Sequence, residues 1–226
     1  DAEPASFGCE VWAVKPDIGW APSGWCFAAA IVNSSDEATH IAVSRDGVAF
    51  ADPAFIGIVA GQGESLAFEP YDPVAGLPPG EVAIAVLSRW GLPPHGPPCS
   101  LPGGYSGEGA IDGTGIGSAF RIETDRPVVA YSLWPFGGGG FNGTKNASAT
   151  LLLPTSSWAT NYIAVNPYEK AIFSGVGAAP SLSILARENE TEVTILPRVD
   201  LVGGTPIPPT PANTPVTVML HGGQYL

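Results

Sequence analysis

The side chains able to do chemistry are few in kind and widely scattered. Three cysteines stand at Cys9, Cys26 and Cys99, and no C-x-x-C pair occurs. The usual zinc and thioredoxin-type spacings are therefore absent. His40, His95 and His221 lie far apart in the chain and form no ligand pair. There is no H-E-x-x-H, and Gly104-Tyr105-Ser106-Gly107 only approaches the G-x-S-x-G of a nucleophile elbow. Carboxylates are abundant, so a pair of the glycosidase kind can be drawn in many ways, but nothing in the pattern selects one. Asp46, Asp52 and Asp72 are spread out and show no EF-hand spacing. "GTGIG" at Gly113–Gly117 resembles the front of a dinucleotide fingerprint but lacks the strand and helix that would make it one. No catalytic residue, metal ligand set or cofactor is expected, and Ca²⁺ is the one ion the acidic surface leaves open.

Charge narrows the partners. Nine Lys and Arg against 21 Asp and Glu give a net charge of −12. Such a surface repels phosphate backbones and anionic membranes, so nucleic acid and lipid are poor partners. It suits solubility, a basic partner or Ca²⁺. No apolar run approaches the roughly 18 residues of a membrane helix, so no membrane insertion is expected. A single Met and a start at Asp1 lead to the expectation of a cut-down chain, part of a longer protein, from which a signal peptide has been removed.

The elements that must position any site are strands. Gly (29) and Pro (24) cut a chain that is 45% hydrophobic into short apolar runs. No long 3.6-residue stripe is free of these breakers, whereas period-two runs are common. Glu10–Lys15, Trp25–Asn33, Thr39–Ser44, Phe55–Ala60, Ser65–Phe68, Glu81–Arg89, Ala119–Glu123 and Pro127–Trp134 read as strands. "RDG" at Arg45–Gly47 reads as a hairpin turn and "TDR" at Thr124–Arg126 as another. After a glycine-rich connection the pattern restarts with Ala149–Leu153, Tyr162–Val165, Leu182–Ala186, Glu192–Leu196 and Val216–Leu220. A faint repeat aligns "DEATHIAV" from Asp36 with "ENETEVTI" from Glu188. The expected fold is all-β: tandem antiparallel sandwich-like units, the second incomplete. The first unit spans 1–136, the connection 137–147, and the second unit 148–226. Gly91–Gly117 reads as a long excursion, and Thr205–Pro215 as an exposed polyproline-like stretch.

Against that frame, Cys26 opens an apolar strand and Cys99 sits in the excursion. A Cys26–Cys99 disulfide would pin the loop to the first unit and suit an oxidising compartment. Cys9–Cys26 across neighbouring strands is the rival, and either leaves an odd cysteine. Asn33, Asn142, Asn146 and Asn189 begin N-x-S/T sequons, read as chance in an Ala/Gly/Pro-rich chain. Trp134, Phe136 and Phe141 surround four glycines. They read either as an aromatic ligand platform or as the closing end of the first unit beside a flexible hinge.

"GSAFRIETDRPVVAYSLWPFGGG" from Gly117, "SATLLLPTSSWATNYIAVN" from Ser148 and "PSLSILARENETEVTILP" from Pro180 resemble, in that order, the N-terminal domain of IgGFc-binding proteins, in particular its secreted bacterial relatives. The opening "GCEVWAV" and closing "GGQYL" extend the resemblance from Gly8 to Leu226. It implies an extracellular or surface-attached β-rich module, and supplies no catalytic residues. The functional expectation is a non-enzymatic binding or adhesion module for a protein or glycan. The alternatives are a structural spacer of a larger surface protein, or an acidic-cleft hydrolase. An adhesin should expose a contiguous apolar or aromatic patch, a spacer should be polar all round, and a hydrolase should hold two facing carboxylates with one pKa raised.

Overall fold

The computed structural model describes residues 5–16, 26–89, 99–136, 148–165, 171–173, 176–178 and 181–226. The expected all-β, antiparallel fold is what they form. The first stretch supplies β1 (Gly8–Ala13), β2 (Cys26–Asn33), β3 (Ile41–Arg45), β4 (Val48–Ala49), β5 (Ile56–Ala60), β6 (Ala67–Pro70), β7 (Val82–Arg89), β8 (Gly117–Ser118) and β9 (Phe120–Phe136). The second supplies β10 (Ser148–Leu152), β11 (Ala171–Phe173), β12 (Val176–Ala178), β13 (Thr191–Ile195), β14 (Val216–Leu220) and β15 (Gln224–Tyr225). Among the described residues, nine strands make one curled sheet in the order β4-β3-β9-β2-β7-β5-β6, with β1 and β10 also on β9. The pairs β11–β12, β13–β14 and β8–β15 form three smaller sheets.

β9 organises the large sheet. Its 17 residues form a single strand, where a turn at "TDR" was expected. The first half pairs with β1 and β3, and the second with β2 and β10. Between Gly8 and Glu10 the β1 partner moves from Val128 to Glu123, so five steps on β9 face two on β1. The excess is a bulge that leaves Asp125, Arg126 and Pro127 exposed. The chain continues beyond it because each half of β9 has its own pair of neighbours. A straight strand from Phe120 to Trp134 would extend about 46 Å at ~3.3 Å per residue. Yet both rings lie near Phe27, at 5.9 and 6.2 Å between centroids. β9 must bend, and the bulge is where it does.

The inner side of this curl is the main core. Phe27 and Phe120 are fully buried in it with Val11, Ile31, Leu87 and Val128. Phe120 continues the aromatic chain to Phe50 and Tyr105, at 6.3 and 6.2 Å. β2 and β7 are buried on both faces, which explains the near-continuous apolar run of β2. Phe27, Ala29 and Ile31 face the main core, while Cys26 and Ala28 join Ile84 and Val86 in a second cluster. That second face is covered by Cys99, Leu101, Val59 and Phe68. Cys26 and Cys99 are joined by a disulfide, their Cα atoms 6.1 Å apart, and Cys9 is exposed and unpaired. The Cys99 loop docks further along: Gly104 N donates to Val86 O and Tyr105 N to Leu87 O.

Local chemistry sets the connections. Arg45 pairs with Val48 across Asp46 and Gly47, whose φ values of 53° and 73° fit a two-residue hairpin turn, as "RDG" predicts. Two expected strands are absent. Residues 162–165 alternate in sequence but have no ladder partner among the described residues and lie open to solvent. Residues 184–186 bond only with the chain end, Ile184 with Leu226 and Ala186 with Gln224. The proline-rich stretch is not an exposed polyproline run either. Leu201 pairs with Thr210 and Gly204 with Ile207, and Ile207 is buried against Ala186, Val218 and Leu220. An apolar side chain with a core within reach outweighs the intrinsic preference of its prolines.

Asp125, lifted out by the bulge, ties β9 to the entry of β3. It accepts from the His40 backbone N–H at 2.8 Å and from Thr39 Oγ1 at 3.0 Å, and its other oxygen meets His40 Nδ1 at 2.7 Å. The His40 backbone bond, then its ring, hold the Asp125 pKa down at about 2. The Asp125 hydrogen bond, with Val74 O behind it, raises that of His40. The depressed Asp125 contributes stability above its ordinary 3.8 and loses it as pH falls through about 2. The raised His40 contributes below its ordinary 6.5 and loses it as pH rises through the raised value. Asp125→Asn should therefore lower the melting temperature most at pH values between these two ordinary pKa values, and less on either side. A penalty independent of pH in thermal melts would refute the pairing.

Removing the disulfide by Cys26→Ser with Cys99→Ser should cost about 2–5 kcal/mol in denaturant unfolding. It should also open the chain to protease between residues 99 and 116. A variant equally stable and equally resistant would show that the loop is held by packing alone.

Candidate functional site

The aromatic residues singled out in the sequence do not share one environment. Trp134 is 6% exposed, in the main core, with its ring edge-on to Phe27. Lys15 Nζ lies 4.6 Å above the Trp134 ring and also bonds the Glu108 carboxylate and backbone carbonyl at 2.7 Å. Phe136 is half-buried against Phe68, 6.3 Å between ring centroids. Phe141 lies outside the described residues, as do Asn142 and Asn146. Trp134 and Phe136 thus pack at the end of the β2–β9 region instead of lining an open platform. The sequon residue Asn33 is a buried anchor: its amide donates to Glu37 O and Leu77 O, and its oxygen accepts from Ser35. Asn189 is exposed and accepts from Gly222 N at 3.1 Å.

A mixed-charge cleft forms where β1, β3 and β9 meet the turn before β15. It has a volume of about 370 Å³, with Trp12, Arg121 and Arg187 on its walls. Glu10 is the hub. One of its oxygens accepts from Trp12 Nε1 and Arg121 Nε, both at 3.0 Å, and the other from Thr155 Oγ1 at 3.1 Å. Arg187 approaches at 3.7 Å. Burial alone would raise the Glu10 pKa, but the Arg121 hydrogen bond and charge, with Thr155 and Trp12, outweigh it and hold it below the ordinary value. Arg121 also pairs with Glu123 at 3.0 Å, and its guanidinium lies 5.6 Å over the Trp12 ring. Strand alternation brings this set together. Glu10 opposes Glu123 and Trp12 opposes Arg121 across the β1–β9 ladder. Period-two alternation alone puts Arg121 and Glu123 on one face, but nothing local in the sequence brings Glu10, Thr155 and Arg187 to them.

Among the described residues, Glu10 and Asp125 are the carboxylates whose pKa values depart clearly from the ordinary range, and both are shifted downward. Neither is set up as a general acid at neutral pH. Among the described residues no group of three or more His, Cys, Asp or Glu is placed to hold a metal ion.

A second feature is apolar. From β10 onward the chain exposes Leu153, Tyr162 (71%), Ile163 (94%) and Val165 (79%). This stretch folds back on itself: Trp158 Nε1 donates to Leu153 O at 3.1 Å, and Ala159 N to the Tyr162 hydroxyl at 2.5 Å. Exposed aliphatic side chains this close in sequence are unusual on a surface that carries a net charge of −12.

The described residues thus form an all-β fold that carries a mixed-charge cleft and an exposed apolar strip. Residues 148–226 match the family model described as IgGFc binding protein. The resemblance read in the sequence is borne out over that stretch, which contains the whole apolar strip. No curated protein and no solved structure matches the chain.

Glu10→Gln, which keeps the shape and removes the charge, should cost about 1–3 kcal/mol at pH 7. A depressed carboxyl stabilises above its ordinary value of 4.5 and loses that contribution as pH falls below it. The gap between wild type and variant in urea unfolding should therefore narrow under acid. A gap that widens there would overturn the role given to Glu10.

Proposed function

We propose that this chain is an extracellular or cell-surface, non-enzymatic binding module whose partner is a protein. The observation that carries the reading is the exposed strip of Leu153, Tyr162, Ile163 and Val165, within the stretch that matches the family. Aliphatic side chains left in water make a natural contact core for another protein, because covering them recovers about 25 cal/mol per Å² of apolar surface. From the family's description the reading takes only that the partner is a protein. The Cys26–Cys99 disulfide supports an oxidising compartment. In this reading residues 1–136 supply the frame, 148–226 carry the binding surface, and the division falls at 137–147.

The test is a screen of the full chain against an array of extracellular proteins, beside an Ile163→Asp, Val165→Asp double variant. Both positions are open to solvent, so the variant should melt within about a degree or two of wild type. The expected result is at least one partner bound by wild type and lost in the variant. Partners that bind both chains equally would place the contact elsewhere. No partner at all would favour a spacer.

A further inference from the structure

We propose that the cleft beside Glu10 is a carbohydrate subsite that takes a neutral sugar. Three of the nine Lys and Arg residues, Arg45, Arg121 and Arg187, line this one cleft. They are matched there by Glu10, Asp46 and Glu188. An anionic ligand would meet the exposed carboxylates of Asp46 and Glu188, and a cationic one would meet the guanidiniums. A neutral ligand rich in hydroxyls meets no such conflict, because each hydroxyl can donate to a carboxylate and accept from a guanidinium.

The donors and acceptors are not used up within the protein. Glu10 is largely occupied by Trp12, Arg121 and Thr155, which fill three of its roughly four acceptor sites. Arg187, by contrast, is half exposed and stands 3.7 Å from Glu10, beyond hydrogen-bond reach. Asp46 is 58% exposed on its side chain and 3.6 Å from Arg45, and Glu188 is exposed. Part of the lining is therefore locked around Glu10, and Arg187, Asp46 and Glu188 keep hydrogen-bonding capacity for a ligand. The volume of about 370 Å³ lies at the small end of ligand pockets.

The remaining wall supplies an aromatic surface. Trp12 is oriented by its Nε1–Glu10 bond and sits against Gly223. A Cβ at Gly223 would come within 2.9 Å of Trp12 Cζ3, and the residue holds φ at +85°. Glycine at that position lets the backbone turn approach the indole without covering it with a side chain. With the Arg121 guanidinium 5.6 Å over the ring and Gly223 at its Cζ3 side, the half-buried indole offers the apolar C–H side of a sugar its remaining surface, beside polar groups that meet the hydroxyls.

The cleft shares no lining residue with the apolar strip, so the two readings fail separately. The experiment is saturation-transfer NMR and calorimetry on the full chain, with the neutral methyl glycosides of glucose, galactose and mannose as probes. Glucuronate and glucosamine serve as charged comparisons. The expected result is transfer to at least one neutral glycoside at millimolar concentration, with a shift of the Trp12 indole N–H. Affinity should fall about tenfold in Arg187→Ala and in Glu188→Ala, with partial recovery in Arg187→Lys. Melting temperatures of the three variants would confirm that each is folded. Binding of the charged sugars alone, binding unchanged in both alanine variants, or no transfer to any neutral glycoside would overturn the proposal.

Discussion

The rest of the fold depends on the contact that Phe27 makes with both ends of β9. One ring buried between Phe120 and Trp134 forces a 17-residue strand to bring its two ends together. A strand cannot do that and stay regular, so the bulge at Asp125–Pro127 follows from the core and not from local turn propensity. The bulge lifts Asp125 to where it can hold His40 and Thr39 at the entry of β3. It also lets β9 change neighbours, so that β1 and β3 serve one half while β2 and β10 serve the other. A side chain count would rank Phe27 as one core residue among many, but geometry makes it the residue that sets the curvature.

A curled sheet has a second problem, because its central strands are apolar on the outside as well. β2 and β7 present Ala28, Ile84 and Val86 away from the main core. A loop from the excursion covers them, anchored by Cys99 to Cys26 and by Gly104 and Tyr105 to the end of β7. Glycine at position 104 is required there, since a Cβ would come within 2.6 Å of the Phe50 ring. What looks in sequence like a structureless insertion is the outer wall of the second cluster.

Much of this was legible in the sequence. Period-two runs located nearly every strand of the large sheet, "RDG" marked its hairpin, and the pairing of Cys26 with Cys99 was one of the two that the sequence left open. The misses share a cause. "TDR" reads as a turn because Asp and Arg next to Pro have turn chemistry, and only the long-range contact at Phe27 shows the strand running through. Tyr162–Val165 alternates like a strand, but a strand needs a partner, and partners are not a local property. The reverse holds at Ile207, where proline chemistry suggested an open stretch and a buried side chain decided otherwise. The cleft was the least legible part. Its residues include Glu10, Asp46, Arg121, Arg187 and Glu188, positions brought together only by the fold. Trp134 was visible as an aromatic beside glycines, but whether it faced water or the core depended on Phe27, more than a hundred positions earlier.

The position of β9 in the chain has a consequence for synthesis. Its partners β1, β2 and β3 all come earlier, so a ribosome making this protein releases them long before the strand that joins them exists. Until about residue 136 has emerged, β1 has no partner, β3 has only the short β4, and β2, β7, β5 and β6 can pair only among themselves. Contacts this distant in sequence close slowly. The nascent chain therefore spends most of its synthesis as partial sheets waiting for the strand that joins them.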